Sequence, residues 1–140
     1  MSITIKDTDQ GLGNLIKLFD HVDTDEFYQA YVPHLTQPAD ILHKYLYSIT
    51  DLTDLIAVDV NSDAIREIAH LCNKLSEHNS HLVTATIANT DLLYGMARMW
   101  AAIADETSWE ITIVNNMKEA QAWVQSHVSN KHNIENLSFK

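Results

Sequence analysis

The chain has 140 residues, 46% hydrophobic and 20% charged, with three Gly and two Pro; this suits one domain without long linkers, able to bury roughly 68–70% of its unfolded-chain surface. The formal net charge is −10, and nine carboxylates face the single Lys44 between Asp20 and Asp63, a balance that repels phosphate backbones and argues against nucleic acid as a partner. Cys72 is the lone cysteine, the opening MSITIKDTDQ lacks a secretory signal pattern and no run nears the ~18 apolar residues of a membrane span, so a cytoplasmic protein is expected.

SITIKDTD alternates apolar and polar residues and predicts a strand. The break at Gly11–Gly13, followed by NLIKLFDHV, predicts a hairpin. Asp23 and Glu26 form a capping-box pattern ahead of a helix through EFYQAYVPHL, with Pro33 able to end or kink it. Gln37-Pro38 marks a boundary, and Ala39–His43 suits a short helical turn. Tyr45, Tyr47 and Ile49 alternate, which predicts a strand from about Lys44 to Thr50. LIAVDV is ambiguous: it is short, apolar and β-branched, but close to the next helix. Asn61-Ser62-Asp63 signals a helix start. Ile65, Ile68, Cys72 and Leu75 then recur at intervals of three and four, one stripe of an amphipathic helix ended by Asn79-Ser80.

HLVTATIAN reads as a central strand covered on both faces. Thr90-Asp91 caps DLLYGMARMWAAIADE. SWEITIVNN is a strand with Trp109, Ile111 and Ile113 on one side. Asn116 and Glu119 form another capping box, opening the helix MKEAQAWVQSHV. A single domain over 1–128 is expected, with 129–140 as a polar, irregular or swinging tail. The element order describes an open α/β sheet, mostly parallel after the N-terminal hairpin, with right-handed crossovers laying helices against it.

Residues 92–100, LLYGMARMW, hold the most suggestive composition. On a helix, Leu93, Met96, Ala97, Trp100 and Ile103 share one face, flanked by Leu92 and Met99, and that spacing reads as core. Gly95 costs about 1 kcal/mol against Ala inside a helix; close approach of the helix to the sheet or to another helix is the expected reason. The Arg98 stem can cover apolar surface while its head reaches solvent, an anionic ligand or a partner.

Three blocks carry a resemblance. SITDLTDLIAVDVNSDAIREIAHL, HLVTATIANTDLLYGMARMW and WEITIVNNMKEAQAWV are similar, in this order, to the strand, loop and helix blocks of the SpoIIAA-like family of bacterial STAS-type domains, and NLIKLFDHVDTDEFYQAY resembles its opening strand and helix. The resemblance spans about residues 3–128. It implies a four- or five-stranded STAS-like sheet with helices mainly on one face, related to the CRAL-TRIO lipid-carrier folds, and no known reaction. The family's phosphorylated Asp-Ser-Ser-Gly loop falls on Asp59-Val60-Asn61-Ser62. Here the Asp matches, the Gly is absent, and Ser62 reads as a helix cap. Asp59 and Asp63 on either side oppose a phosphate dianion.

Eight histidines raise the question of a metal, but neither His70/His78 nor His78/His81 joins a cluster of recognised ligand spacing. Cys72 lies on an apolar stripe and reads as buried and inert. Gly11-Leu-Gly13 is too short for a nucleotide loop. No catalytic residue, metal ligand or cofactor is assigned. The leading expectation is a non-enzymatic regulatory or protein-interaction module whose contact residues are Asp54, Asp59, Asn61, Ser62 and Asp63. The alternative is a carrier or sensor of a small apolar ligand or lipid, in a pocket lined by Tyr94, Met96, Arg98 and Trp100. A homodimer formed through an edge strand, or through aromatic residues near Trp109 and Trp123, completes the partners considered.

Overall fold

The structure, a computed structural model, describes residues 2–103 and 107–140, the side chain of Ile103 excepted. Its elements are β1 (Ile3–Thr8), β2 (Gly13–Leu18), β3 (Asp20–Asp23), α1 (Thr24–Leu35), α2 (Ala39–Lys44), β4 (Tyr47–Asp51), β5 (Leu55–Asp59), α3 (Ser62–His78), β6 (Val83–Ile87), α4 (Asp91–Ile103), β7 (Glu110–Val114) and α5 (Met117–His132). The main sheet has the order β1-β2-β4-β6-β7. β1 and β2 form an antiparallel hairpin, and every later neighbour is parallel. This is the expected α/β arrangement.

Two local readings change. NLIKLFDHV is not one strand: β2 stops at Leu18, and Asp20 adopts a left-handed φ of 55°. The Asp20 N–H donates to the Asp54 carbonyl at 3.0 Å, so the chain leaves the main sheet and re-forms as β3. β3 pairs in parallel with β5, the former ambiguous segment, as a second sheet of two strands. In addition, Lys44 belongs to α2, and β4 begins only at Tyr47. Tyr45 therefore precedes the strand and packs into a different core from Tyr47 and Ile49.

Those two cores lie on opposite faces of the main sheet. The first unites α1, α2, α3 and α4 with Ile16 and Leu18 of β2. The second is α5 alone, whose Ala120, Val124 and Val128 are fully buried on Tyr47, Ile49, Val83, Ala85 and Ile87. Helices thus sit mainly on one face. Capping follows the sequence at α1 and α5, where Asp23 accepts from the Glu26 N–H and Asn116 from the Glu119 N–H, both at 2.9 Å. At α3 the cap is Asn61, which accepts from the Ala64 N–H at 2.8 Å. Ser62 is the first helical residue rather than the cap.

The C-terminus departs from the expected swinging tail. α5 runs to His132, four residues past the anticipated boundary at 128, and ends on Asn133 in a left-handed cap with φ 58°. Residues 134–140 then fold back, with Ile134, Leu137 and Phe139 packed on the α5 core. Asp9 anchors them: its carboxylate accepts from the Ser138 N–H at 2.7 Å, the Ser138 hydroxyl at 2.8 Å and the Phe139 N–H at 3.0 Å. The Tyr47 hydroxyl donates to the same carboxylate at 2.5 Å. Three apolar residues spaced through a polar segment are enough to hold it against a core once a partner for its backbone exists.

Candidate functional site

The helix-rich face of the sheet is the more polar one. β2, β4 and β6 present Asn14, Ser48 and Thr84 as one cross-strand row, and Ile16, Thr50 and Thr86 as the next. Asn14, Ser48 and Thr86 are all buried. Polar side chains buried on a sheet face are more informative than exposed apolar ones, because each must be satisfied. Ser48 donates to the Asn14 side-chain oxygen at 2.6 Å, and the Asn14 amide nitrogen lies 3.3 Å from Nε2 of His34 on α1. The other ring nitrogen of His34 faces the Gln37 amide nitrogen at 3.2 Å.

Between this face and α1, α3 and α4 lies a chamber of two adjoining lobes. One, about 90 Å³, is walled by Phe27, Leu52, Leu55, Met96 and Ala97 and reaches the surface beside Val58 and Met99. The other, about 70 Å³, is bounded by His34, Ser48, Cys72, Asn79 and Trp109. Tyr31, Thr50, Thr86 and Trp100 border both. Trp100 holds the roof in place through ring contacts with Phe27 and Tyr31, at 6.2 and 6.1 Å between centroids. Together the lobes match the roughly 150 Å³ that accommodates benzene in an engineered apolar cavity. That is smaller than a pocket for a full acyl chain.

The titratable groups here are held uncharged. Burial pushes the Cys72 thiol up to about 12, the opposite of an activated nucleophile. Burial lowers His34, against a small opposing pull from Asp7, so its imidazole is neutral at physiological pH. Burial and the hydrogen bond donated to Asp7, at 2.6 Å, raise Tyr45 to about 12. The wall therefore offers hydroxyls, amides and aromatic faces rather than ionised groups.

Of the four residues expected beside this helix, Met96 and Trp100 line the chamber. Tyr94 and Arg98 are on the exposed side of α4. The Gly95 expectation is overturned. A Cβ built there meets no atom within 4 Å, so no close approach within the chain explains the glycine. Its place on the exposed side of the helix accounts for that.

The acidic group is split. Asp59, Asn61, Ser62 and Asp63 gather where β5 enters α3, with Asp63 paired to Arg66. Asp54 stands at the far end of β5, roughly 16 Å away by strand rise, and pairs with Lys17 at 2.9 Å. Val58, next to Asp59 on β5, borders the chamber mouth together with Met99 of α4. Ile56 and Val58 of β5, with Leu92, Tyr94 and Met99 of α4, are five of the six large hydrophobics that the described surface exposes. Ile56, 61% exposed, is the extra residue where the β3–β5 register slips between Asp20 and His21, a bulge that redirects the strand. By contrast, Trp109 is half-buried, its indole N–H donating to the Asn79 carbonyl at 2.7 Å. Trp123 is also half-buried and stacks on His127.

Among the described residues no group of three or more His, Cys, Asp or Glu side chains is arranged to hold a metal ion, and no helix is long and apolar enough to cross a membrane. No protein-family model and no curated protein matches the chain. A crystal structure of an uncharacterized protein of the DUF3478 family with a SpoIIAA-like fold, from Shewanella loihica PV-4, superposes with a TM-score of 0.58 at 17% identity, covering 87% of this chain and 91% of that one. The chain therefore has the SpoIIAA-like fold.

Proposed function

We propose that this domain is a non-enzymatic interaction module of the STAS type, and that its contact surface is the face formed by β5, the start of α3 and the exposed side of α4. The observation that carries this is that exposed Val58 of β5 and Met99 of α4 border one chamber mouth, with exposed Ile56 two residues along β5 and Leu92 seven residues along the same stripe of α4, while Tyr94 lies on the other flank of α4 beside Trp109 and Ile111. Exposed apolar side chains scattered singly need no explanation, but a contiguous group marks a contact. Asp59, Asn61, Ser62 and Asp63 supply its polar rim. Asp54, committed to Lys17 at the other end of β5, stands outside it.

A photo-crosslinking residue at Val58 or Leu92, introduced in cells that make the protein, tests the surface against a control at Ser126, an exposed position on α5. A discrete adduct from the first two positions and none from the control is expected. No adduct from any position would contradict the assignment.

The chamber favours a second role, as a site for a small uncharged ligand. Its hydroxyl row would take one polar group and Phe27, Met96 and Trp100 the apolar remainder. Its volume suits about six to ten heavy atoms, on the benzene comparison above, rather than a lipid chain. Calorimetry with small uncharged aromatic alcohols measures this. Saturable binding supports the site, and no heat with any of them removes it.

A further inference from the structure

We propose that the exposed face of α4 is the interface of a homodimer in which two copies of the helix pack antiparallel about a two-fold axis between Tyr94 and Gly95. This rests on the contact surface assigned above and names its occupant.

Gly95 is the starting point. It lies at mid-helix, exposed, where Gly costs about 1 kcal/mol relative to Ala, and a Cβ there would touch nothing in this chain. Leu93 and Ala97, two residues to either side, are 4% and 1% exposed and point into the core. At about 100° per residue, Gly95 therefore faces directly away from the domain. A glycine with no role inside the molecule, at the crest of a helix flanked by exposed Leu92, Tyr94 and Met99, lets a second backbone approach closely.

The charges on this face name the second backbone. Asp91 and Arg98 are both exposed and seven residues apart, so they lie on one stripe separated by about 10.5 Å along the axis. Among the described residues no carboxylate forms an ion pair with Arg98. An antiparallel copy centred between Tyr94 and Gly95 brings Asp91 of one protomer opposite Arg98 of its partner, and the reverse. Both charges are thereby matched by a single symmetry operation, the self-complementary pattern of an isologous contact. The acidic excess of the chain, concentrated between Asp20 and Asp63, is not carried by α4, whose described charges balance.

Sedimentation equilibrium of the purified chain at roughly 100 µM, a concentration suited to a modest interface, reads the result directly. A mass of twice 15.9 kDa is expected. Gly95→Leu should give a monomer whose thermal midpoint equals or exceeds that of the parent, which separates loss of the interface from loss of the fold. Arg98→Asp should weaken self-association by about tenfold or more, and adding Asp91→Arg to it should restore most of that loss. A parent chain that stays monomeric, or a dimer indifferent to Gly95→Leu and to the single charge reversal, overturns the proposal. So does a double variant no tighter than the single one. A crosslink from Leu92 at a mass other than that of the dimer would also overturn it while leaving the contact surface standing; absence of any crosslink would remove both.

Discussion

A Cβ at Gly13 would overlap the ring of Tyr47, whereas a Cβ at Gly95 would meet no atom. One opens β2 and the other lies within α4, and only the packing shows which of them the fold requires. Gly95→Ala is expected to raise unfolding free energy by about 0.5–1 kcal/mol. Gly13→Ala should lower it by about 1–3 kcal/mol, because Tyr47 is fully buried and hydrogen-bonded to Asp9 and cannot simply swing aside. Denaturant titration of the two variants checks both signs. Asp9 carries a third residue-scale expectation. Burial raises its pKa, but the hydrogen bonds from Tyr47, Ser138 and Phe139 outweigh that and hold it below its ordinary 3.8. A depressed carboxyl stabilises the native state above the unfolded value and ceases to do so as pH falls through the native one. Asp9→Asn should thus cost about 1–2 kcal/mol near neutrality, with the difference from the parent fading as the pH falls below the ordinary 3.8 and through the lowered native value. A difference unchanged at the acid end would show that the charge of Asp9 does not hold the tail.

At the scale of elements, strongly periodic segments were legible and junctions were not. The stripe Ile65, Ile68, Cys72 and Leu75 and the caps Asp23 and Asn116 announced their helices because local spacing and local hydrogen bonds decide them. The break at Asp20 was hidden, since the left-handed φ there is stabilised by Asp54, distant in sequence. The chamber wall was hidden for a related reason. VTATI alternates, so Thr84 and Thr86 must share a face, but nothing in the strand says that this face lies under four helices. His34 and Asn14 meet only because α1 crosses back over β2. At the α3 start, the two candidate caps part clearly. Asn61→Ala should cost about 1 kcal/mol, while Ser62→Ala should stay within about 0.5 kcal/mol of the parent. Equal losses in thermal denaturation would contradict Asn61 as the cap.

The whole molecule has two unlike sides. On one, α5 and the returning tail seal an apolar sheet face, with Lys131 and His127 of α5 both reaching Glu110. On the other, four helices cover a polar sheet face imperfectly, leaving the chamber and, beside its mouth, exposed Val58 of β5 and Met99 of α4. Composition had pointed to the acidic segment as the distinctive surface. The fold divides that segment, pairs two of its carboxylates with Lys17 and Arg66, and sets an apolar strip next to the remainder. Hydroxyl-radical footprinting of the methionines, in living cells and in dilute purified protein, tests most directly whether this strip is a contact surface. Met99 is 56% exposed, and half-buried Met117 on α5 serves as the internal reference. Met99 should oxidise readily in the dilute sample and be several-fold protected in the cell, with Met117 unchanged between the two. Equal oxidation of Met99 in both settings would show that nothing covers the β5–α4 face.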